Sequence, residues 1–402
     1  MATTPANTGD LGKPNNQALT HDPPGMIIHK HADYRPLGFA GKVEKVAPMT
    51  SGASHIKLGS DSQKNSQITA HKEVYTKMSI IMKLPSPPEG SKPVYPLDKP
   101  SLTRQLNFFK STTGIEDDEK LKVHICRIQE QIYELFPFPC AWNFDFVRGK
   151  VVNNPMYQDV IESAKNQAVP QKIFVDFGAN VGSDLRQVVN DGWKREDVLA
   201  IDVLPGRHLL LLLHNLTSIL ARRLYIPEWI ELGKELFVGL ESPIPYFIGN
   251  IFDPQVFDPN KPPEPLGEPL DLFALKDLNV LKGRVTVISA DFMFHLFGEK
   301  DQERLAEYFA LLLSNQPGSS IFGLQRGSEN AGIQKLPYAA EAHWYGHSAE
   351  VRISWKSLWE KHFDPTTVKI TTEVRESQEQ TQYEYIHGNR KVLWLYWSVI
   401  RI

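Results

Sequence analysis

The sequence predicts an α/β protein: a mostly parallel seven-stranded sheet with helices on both faces. Three observations carry this reading. Short, almost wholly apolar runs recur along the second half of the chain, as strands buried on both faces require. Amphipathic stretches of helical spacing separate most of them. Several of the runs end in an acid or a glycine turn that leads straight into the next helix, the layout of an open sheet whose ligand crevice lies at the strand ends.

The elements follow in order. Residues 1–100 are rich in Pro, Gly and Ser, hold the proline-dense run Lys83 to Pro96, and show no sustained apolar period. Such a segment buries too little surface to offset its ordering entropy, so it is expected to be an extension, largely tail or linker. Residues 101–170 are expected to form an N-terminal helical cap. From Gly114 an acid-rich stretch, Glu116 to Glu119, precedes Leu121, Val123, Ile125, Ile128, Ile132 and Leu135, which reads as a helix ending at Phe136 to Cys140. Residues 171–402 form the main domain. Its expected strands are Lys172–Phe177, Val198–Val203, Pro245–Asn250, Arg284–Asp291, Gly318–Gln325, Val368–Val374 and Lys391–Ile400. Its expected helices are Val181–Asp191, Pro227–Phe237, Lys300–Ser314 and Val351–His362.

Composition narrows the function classes. The 402 residues carry 44 Lys+Arg against 47 Asp+Glu, a net charge of −3, which gives no electrostatic reason to expect nucleic acid as a partner. The two cysteines, Cys126 and Cys140, fit a reducing compartment and leave no disulfide framework. The start of the chain lacks the basic-then-apolar layout of a secretory signal. The apolar run Leu209–Leu213 is far short of the ~20 residues that span a bilayer. A cytoplasmic protein without a membrane span is expected, and a homodimer stays open. No histidine or paired-acid spacing suggests a metal.

The strand ends hold the candidate chemistry. The first runs Val175-Asp176-Phe177-Gly178-Ala179-Asn180-Val181-Gly182, in which Gly178 allows a sharp turn and Gly182 a close helix start. The second ends in Asp202, placed to accept ribose hydroxyls. The third ends in Gly249-Asn250-Ile251-Phe252-Asp253, where Asn250 and Asp253 could bond an adenine amino group while Ile251 and Phe252 flank the ring. The fourth brings Asp291 and His295 to the same crevice. Each has a plainer structural reading: a solvated or capping aspartate at Asp202, an Asx turn at Asn250, a packing histidine at His295. Two cofactor classes use such a crevice, NAD(P) and S-adenosylmethionine. Asp176 at the first strand end favours the cationic sulfonium donor, and Asn180 in place of a middle glycine disfavours a pyrophosphate.

In these residues the chain resembles the class I S-adenosylmethionine-dependent methyltransferases of fungal meroterpenoid and related secondary-metabolite pathways. The resemblance spans about Gln105 to His362. It rests on Thr113–Glu119, Tyr133–Cys140, Phe174–Arg186 with Asp191-Gly192 after it, Pro227–Phe237, Asn250–Asp253 and His295–Phe297. It implies a Rossmann-like class I methyltransferase fold, S-adenosylmethionine as cofactor, and contacts to it at Asp176, Gly178, Asp202, Val203, Asn250 and Ile251. It also implies methylation of a carboxylate on a prenylated polyketide acid. The chain departs from the family at 204–225, an atypical insertion that reads either as a translated intron or as a genuine helical insert.

Methyl transfer from a sulfonium is chiefly a matter of alignment. A carboxylate acceptor is already ionised and needs no base; a phenol would call on His295 as base. Trp344, Tyr345 and His347, with His343 beside them, are candidates to line a pocket for a largely apolar small-molecule acid, and Arg326 is a candidate partner for its carboxylate. The alternatives are an NAD(P)-dependent oxidoreductase and a catalytically impaired methyltransferase-like binding protein.

Overall fold

The computed structural model describes residue 87 and residues 90–135, 138–165, 171–202, 228–238, 243–265, 267–327, 332–336, 339–346, 352–377 and 392–402. Val203, His347, the segment 204–225 and most of 1–100 lie outside the described residues.

The chain enters through a layer of helices. Helix α1 (Thr103–Thr113) ends at Gly114, whose φ of 69° supplies the left-handed cap that most residues resist. It has no capping side chain and no acid in its first turn, which is why the sequence did not announce it. Helix α2 (Asp118–Leu135) does carry its own start signal. The Asp117 carboxylate accepts the Lys120 N–H at 2.9 Å, and Asp118 and Glu119 occupy the first turn. Leu121, Ile125, Ile128 and Ile132 form one fully buried stripe along it. They pack on Phe108 and Phe109 of α1 and on Leu97, with Tyr95 partly buried against them, so ordered packing begins upstream of residue 100. A one-turn helix α3 (Pro139–Trp142) and helix α4 (Tyr157–Ala164) complete this part.

The sheet follows the expected alternation. Its elements are β1 (Ile173–Phe177), α5 (Ser183–Asn190), β2 (Val198–Asp202), α6 (Glu228–Leu236), β3 (Tyr246–Ile248), β4 (Val285–Ser289), α7 (Glu299–Leu312) and β5 (Ser320–Arg326), then α8 (Arg352–Glu360), β8 (Val368–Glu376) and β9 (Leu393–Arg401). Between β5 and α8 lies a separate hairpin, β6 (Gly332–Leu336) with β7 (Ala339–Gly346). The seven-stranded sheet runs β3-β2-β1-β4-β5-β9-β8. Its first five strands are parallel, and β9 is antiparallel to both neighbours. Strand order reverses between β1 and β4, which opens the crevice at their carboxyl ends.

Alternate side chains serve the two faces. Phe174, Val198, Ala200, Val287 and Phe322 pack with Tyr157, Val160, Leu185 and Val188 of α4 and α5. Val175, Phe177, Leu199, Ile201, Ile288 and Ile321 pack with Leu305, Phe309, Trp355 and Trp359 of α7 and α8. On that second face Trp397 lies 4.9 Å from Trp355 and 5.4 Å from Trp359 between ring centroids. Phe294, in the short turn after β4, stacks edge-on to Trp355 at 5.1 Å. Such pairs each add about 0.5–1.5 kcal/mol beyond buried area, so the turn that carries His295 is anchored by aromatic packing. Among the described residues no helix is long and apolar enough to cross a membrane.

Candidate cofactor and active site

The first βα turn is built by its own backbone. Gly178 and Ala179 donate to the Ile201 carbonyl at 2.9 and 3.3 Å, which folds the chain back over β2. Gly178 has φ +80°, and a Cβ there would stand in open space, so the crevice floor is bare backbone. Asn180 is left-handed at φ 51°, a conformation asparagine tolerates. Its side chain accepts the Val181 N–H at 2.6 Å, and its own N–H donates to Asp202 Oδ2 at 2.7 Å. The expected ribose acid therefore also locks the turn. The helix begins at Ser183 rather than at Val181 because Gly182, at φ 73°, caps it. A Cβ on Gly182 would meet Tyr246 Oη at 2.6 Å and Arg186 Nη1 at 2.7 Å. These two groups brace the turn by donating to the Asn180 and Val181 carbonyls, each at 2.7 Å.

Beside this turn lies a buried acidic cluster. Asp176 and Asp291 are 6% and 7% exposed. Ser289 donates to Asp176 Oδ1 at 2.6 Å. Burial, then the charge of Asp184, holds the Asp176 carboxyl well above the usual range, although the Ser289 bond opposes this. The same two causes push Asp291 up to about 7, and its Oδ1 has no hydrogen-bond partner. A buried acceptor left unpaired costs about 1–3 kcal/mol, so this oxygen is poised for a ligand cation or donor.

The turn after β4 is strained. Phe292, at φ 56°, is left-handed although aromatic, a conformation that costs about 1–3 kcal/mol and tends to persist where function holds it. Its N–H donates to the Leu324 carbonyl at 2.6 Å, and its ring lies 5.9 Å from His295 and 5.1 Å from Trp394. Burial, then Arg326 and Lys150, pushes His295 down to about 3, and its Nδ1 has no partner. This imidazole is neutral at physiological pH and far from the range that suits a general base.

The side chains of the third turn make local hydrogen bonds. Asn250 Oδ1 accepts the Phe252 N–H at 3.0 Å and Asp253 Oδ1 the Gln255 N–H at 2.9 Å, so both side chains close their own turns. Ile251 is 2% exposed in the central core. The Phe252 ring packs 5.4 Å from Phe297 and 5.9 Å from Tyr308, with Arg304 over its face at 4.7 Å. The stretch expected to line a pocket is the β-hairpin: Gln334 pairs with Trp344 and Ile333 with Tyr345, and the β7 backbone lies against the turn Phe294–Leu296.

Sequence reasoning passed over three residues here. Asp184, inside the quoted stretch Phe174–Arg186, was given no role. Lys150 carried no signal beyond the glycine before it. Phe292 was read only as part of a strand end.

Residues 95–147 match the family model described as the meroterpenoid methyltransferase N-terminal domain. The O-methyltransferase phiE of Fungal sp. (strain ATCC 74256) is 26% identical over 261 residues, 65% of this chain and 71% of that protein. The asnovolin E/chermesin D methyltransferase nvfJ of Aspergillus novofumigatus is 24% identical over 250 residues, 62% of this chain and 73% of that protein. Among solved structures, an S-adenosylmethionine-dependent methyltransferase from Mesorhizobium loti is similar at 11% identity and TM-score 0.34, covering 63% of this chain and 100% of that one. The strand order and the crevice define a Rossmann-like class I methyltransferase fold. These likenesses support an S-adenosylmethionine-dependent methyltransferase, similar to those of fungal meroterpenoid and related secondary metabolism.

The site fits that cofactor. Open backbone at Gly178, two buried acids above their usual range and the orphaned Asp291 Oδ1 suit a ligand that brings positive charge. When bound, the sulfonium supplies an activated methyl group. The remaining tasks fall to the chain.

Proposed function

We propose that this chain methylates a carboxylate oxygen of a small, largely apolar prenylated acid. The observation that carries the reading is the setting of His295, whose ring packs against Phe292 and whose Nδ1 meets no acid that would raise its basicity among the described residues. The one histidine at the end of β4 is held neutral and is too weakly basic to activate a phenol. A carboxylate is already ionised near neutral pH and needs no such help. Its O-methylation then requires alignment and exclusion of water, which the Phe292, Trp394 and His295 wall supports. In this reading Asp202 holds the ribose, Asp176 and Asp291 face the cationic end of the cofactor, and His295 is a pocket wall. Arg326, half-buried at the end of β5, contributes positive charge on the acceptor side.

The oxidoreductase alternative is weakened by Asn180, whose side chain already occupies the Val181 N–H that a pyrophosphate would use. The test is methyl transfer from S-adenosylmethionine with a tritium-labelled methyl group. The acceptors are prenylated hydroxybenzoic acids and, separately, their methyl esters, which keep only the phenol. Labelling of the free acids alone is expected. Labelling of the esters at a comparable rate would overturn the carboxylate reading.

A further inference from the structure

The cofactor reading accounts for the acids at the end of β1 and β4 but leaves a largely buried cation among them. Lys150 sits in the loop between α3 and α4. Its ammonium lies 4.0 Å from Asp184 Oδ2 and 5.0 Å over the face of the strained Phe292 ring. Burial alone would push this amine down, yet the summed pull of Asp184, Asp291 and Asp145 keeps it above its usual range and therefore charged. Asp184 is largely committed to the backbone, since its Oδ1 accepts the Val151 N–H at 3.2 Å. The distance to Oδ2 exceeds a direct hydrogen bond. By contrast, half-buried lysines on the cap close on their acids: Lys110 to Asp118 at 2.5 Å and Lys122 to Asp98 at 2.7 Å.

Topology says which part of the cofactor would reach this amine. Asp202 marks the ribose end at β2, and β1 lies between β2 and β4. The rest of the molecule must therefore run over Gly178 toward β4, where Asp176, Asp291 and Lys150 gather. An amino-acid tail carries an ammonium and a carboxylate on one carbon. Acids alone can satisfy only the first.

We propose that Lys150 receives the carboxylate of the cofactor's amino-acid tail, while Asp176 and Asp291 face its ammonium. The inference rests on the methyltransferase reading. It makes Lys150 a binding residue contributed by the segment ahead of β1, with Asp184 positioning it through the Val151 N–H.

Calorimetry on the full chain tests it with two ligands. S-adenosylhomocysteine carries the tail; 5′-methylthioadenosine keeps the adenosine and thioether without it. Lys150→Met is expected to weaken S-adenosylhomocysteine about 10–100-fold, the range for a lost charged hydrogen bond, and methylthioadenosine less than about 3-fold. Lys150→Arg should restore part of the loss. Unchanged affinity for S-adenosylhomocysteine in Lys150→Met, or equal weakening of both ligands, would overturn the inference and leave Lys150 a counterion to Asp184. The double variant Lys150→Met with Asp184→Asn removes the stranded acid if the single variant fails to fold. Selective loss of S-adenosylhomocysteine binding should persist in it, and wild-type binding there would also overturn the proposal. A wild-type chain that binds neither ligand would instead overturn the cofactor reading itself.

Discussion

The ends of β1 and β3 both turn a parallel strand at the same edge of the sheet, and they leave opposite surfaces behind. After β3 the turn satisfies itself: Asn250 and Asp253 bond their own backbone, Ile251 goes into the core and Phe252 packs under Arg304. After β1 the turn is braced from outside by Tyr246 and Arg186, and its inner side is bare backbone beside acids whose charge is poorly compensated. The end of β4 resembles β1. Among the described residues only three non-glycine residues have positive φ, and two of them, Asn180 and Phe292, end β1 and β4. Strain and unpaired polarity gather where the cofactor's charged end is expected, and the turn after β3 is relaxed. The difference separates a turn that leaves open backbone beside an unpaired acid oxygen from one that satisfies its own polar groups.

The largest effect that would break this comparison is steric. Gly178→Val places a branched side chain at φ +80° and fills the open floor. It should weaken S-adenosylhomocysteine binding by more than about 100-fold. Gly249→Ala would press on Phe247 at 2.7 Å and on Val256 at 3.1 Å. It should cost about 1–3 kcal/mol in urea unfolding while changing cofactor affinity by less than about 10-fold. Equal effects on binding would erase the distinction between the two turns.

A second, smaller effect is electrostatic. The Asp291 carboxyl holds its proton up to about 7, with Asp176, Asp184 and Lys150 around it. A cationic ligand prefers the ionised form, so affinity should rise about 5–10-fold from pH 6 to 7.5. Asp291→Asn should flatten that rise. Stability moves the other way. The native state binds this proton more tightly than the unfolded chain, so raising the pH from about 4 through about 7 costs stability in the wild type and less in Asp291→Asn. Urea midpoints at pH 5 and 8 check this.

Two further substitutions sharpen the picture. His295→Asn should lower kcat by less than about 100-fold, because general-base catalysis, usually worth at least that much, is not its role. A larger loss with cofactor binding intact would restore it as a base. The smallest effect is Asn250→Ala, which removes the acceptor for the Phe252 N–H. It should cost about 1 kcal/mol of stability and leave cofactor affinity nearly unchanged.

Much of the architecture was legible because the strands are buried on both faces and read as unbroken apolar runs. The expected strands and the main helices after β1 appear within a few residues of their expected bounds. Helix α1 was not legible, since its start carries neither cap nor acid. The β6–β7 hairpin, whose Trp344 and Tyr345 were expected only as pocket lining, gives no clean alternation of polar and apolar residues. For the candidate site, Asp176, Gly178 and Asp202 could be placed at the crevice by strand-end position alone, because topology forces those positions there. Lys150 could not be, since it lies beside Asp184 and Phe292 across a sequence gap that no spacing rule bridges. Asn250 shows the converse: the sequence supported both an adenine contact and an Asx turn, and its carbonyl oxygen makes the Asx turn.

The central claim is that the acid-lined crevice between β1 and β4 holds a sulfonium donor. Equilibrium dialysis of the full chain against tritium-labelled S-adenosylmethionine, with NADH as competitor, tests it most directly. Saturable binding that NADH does not displace is the expected result. Retention of NADH without S-adenosylmethionine, or of neither, would contradict it.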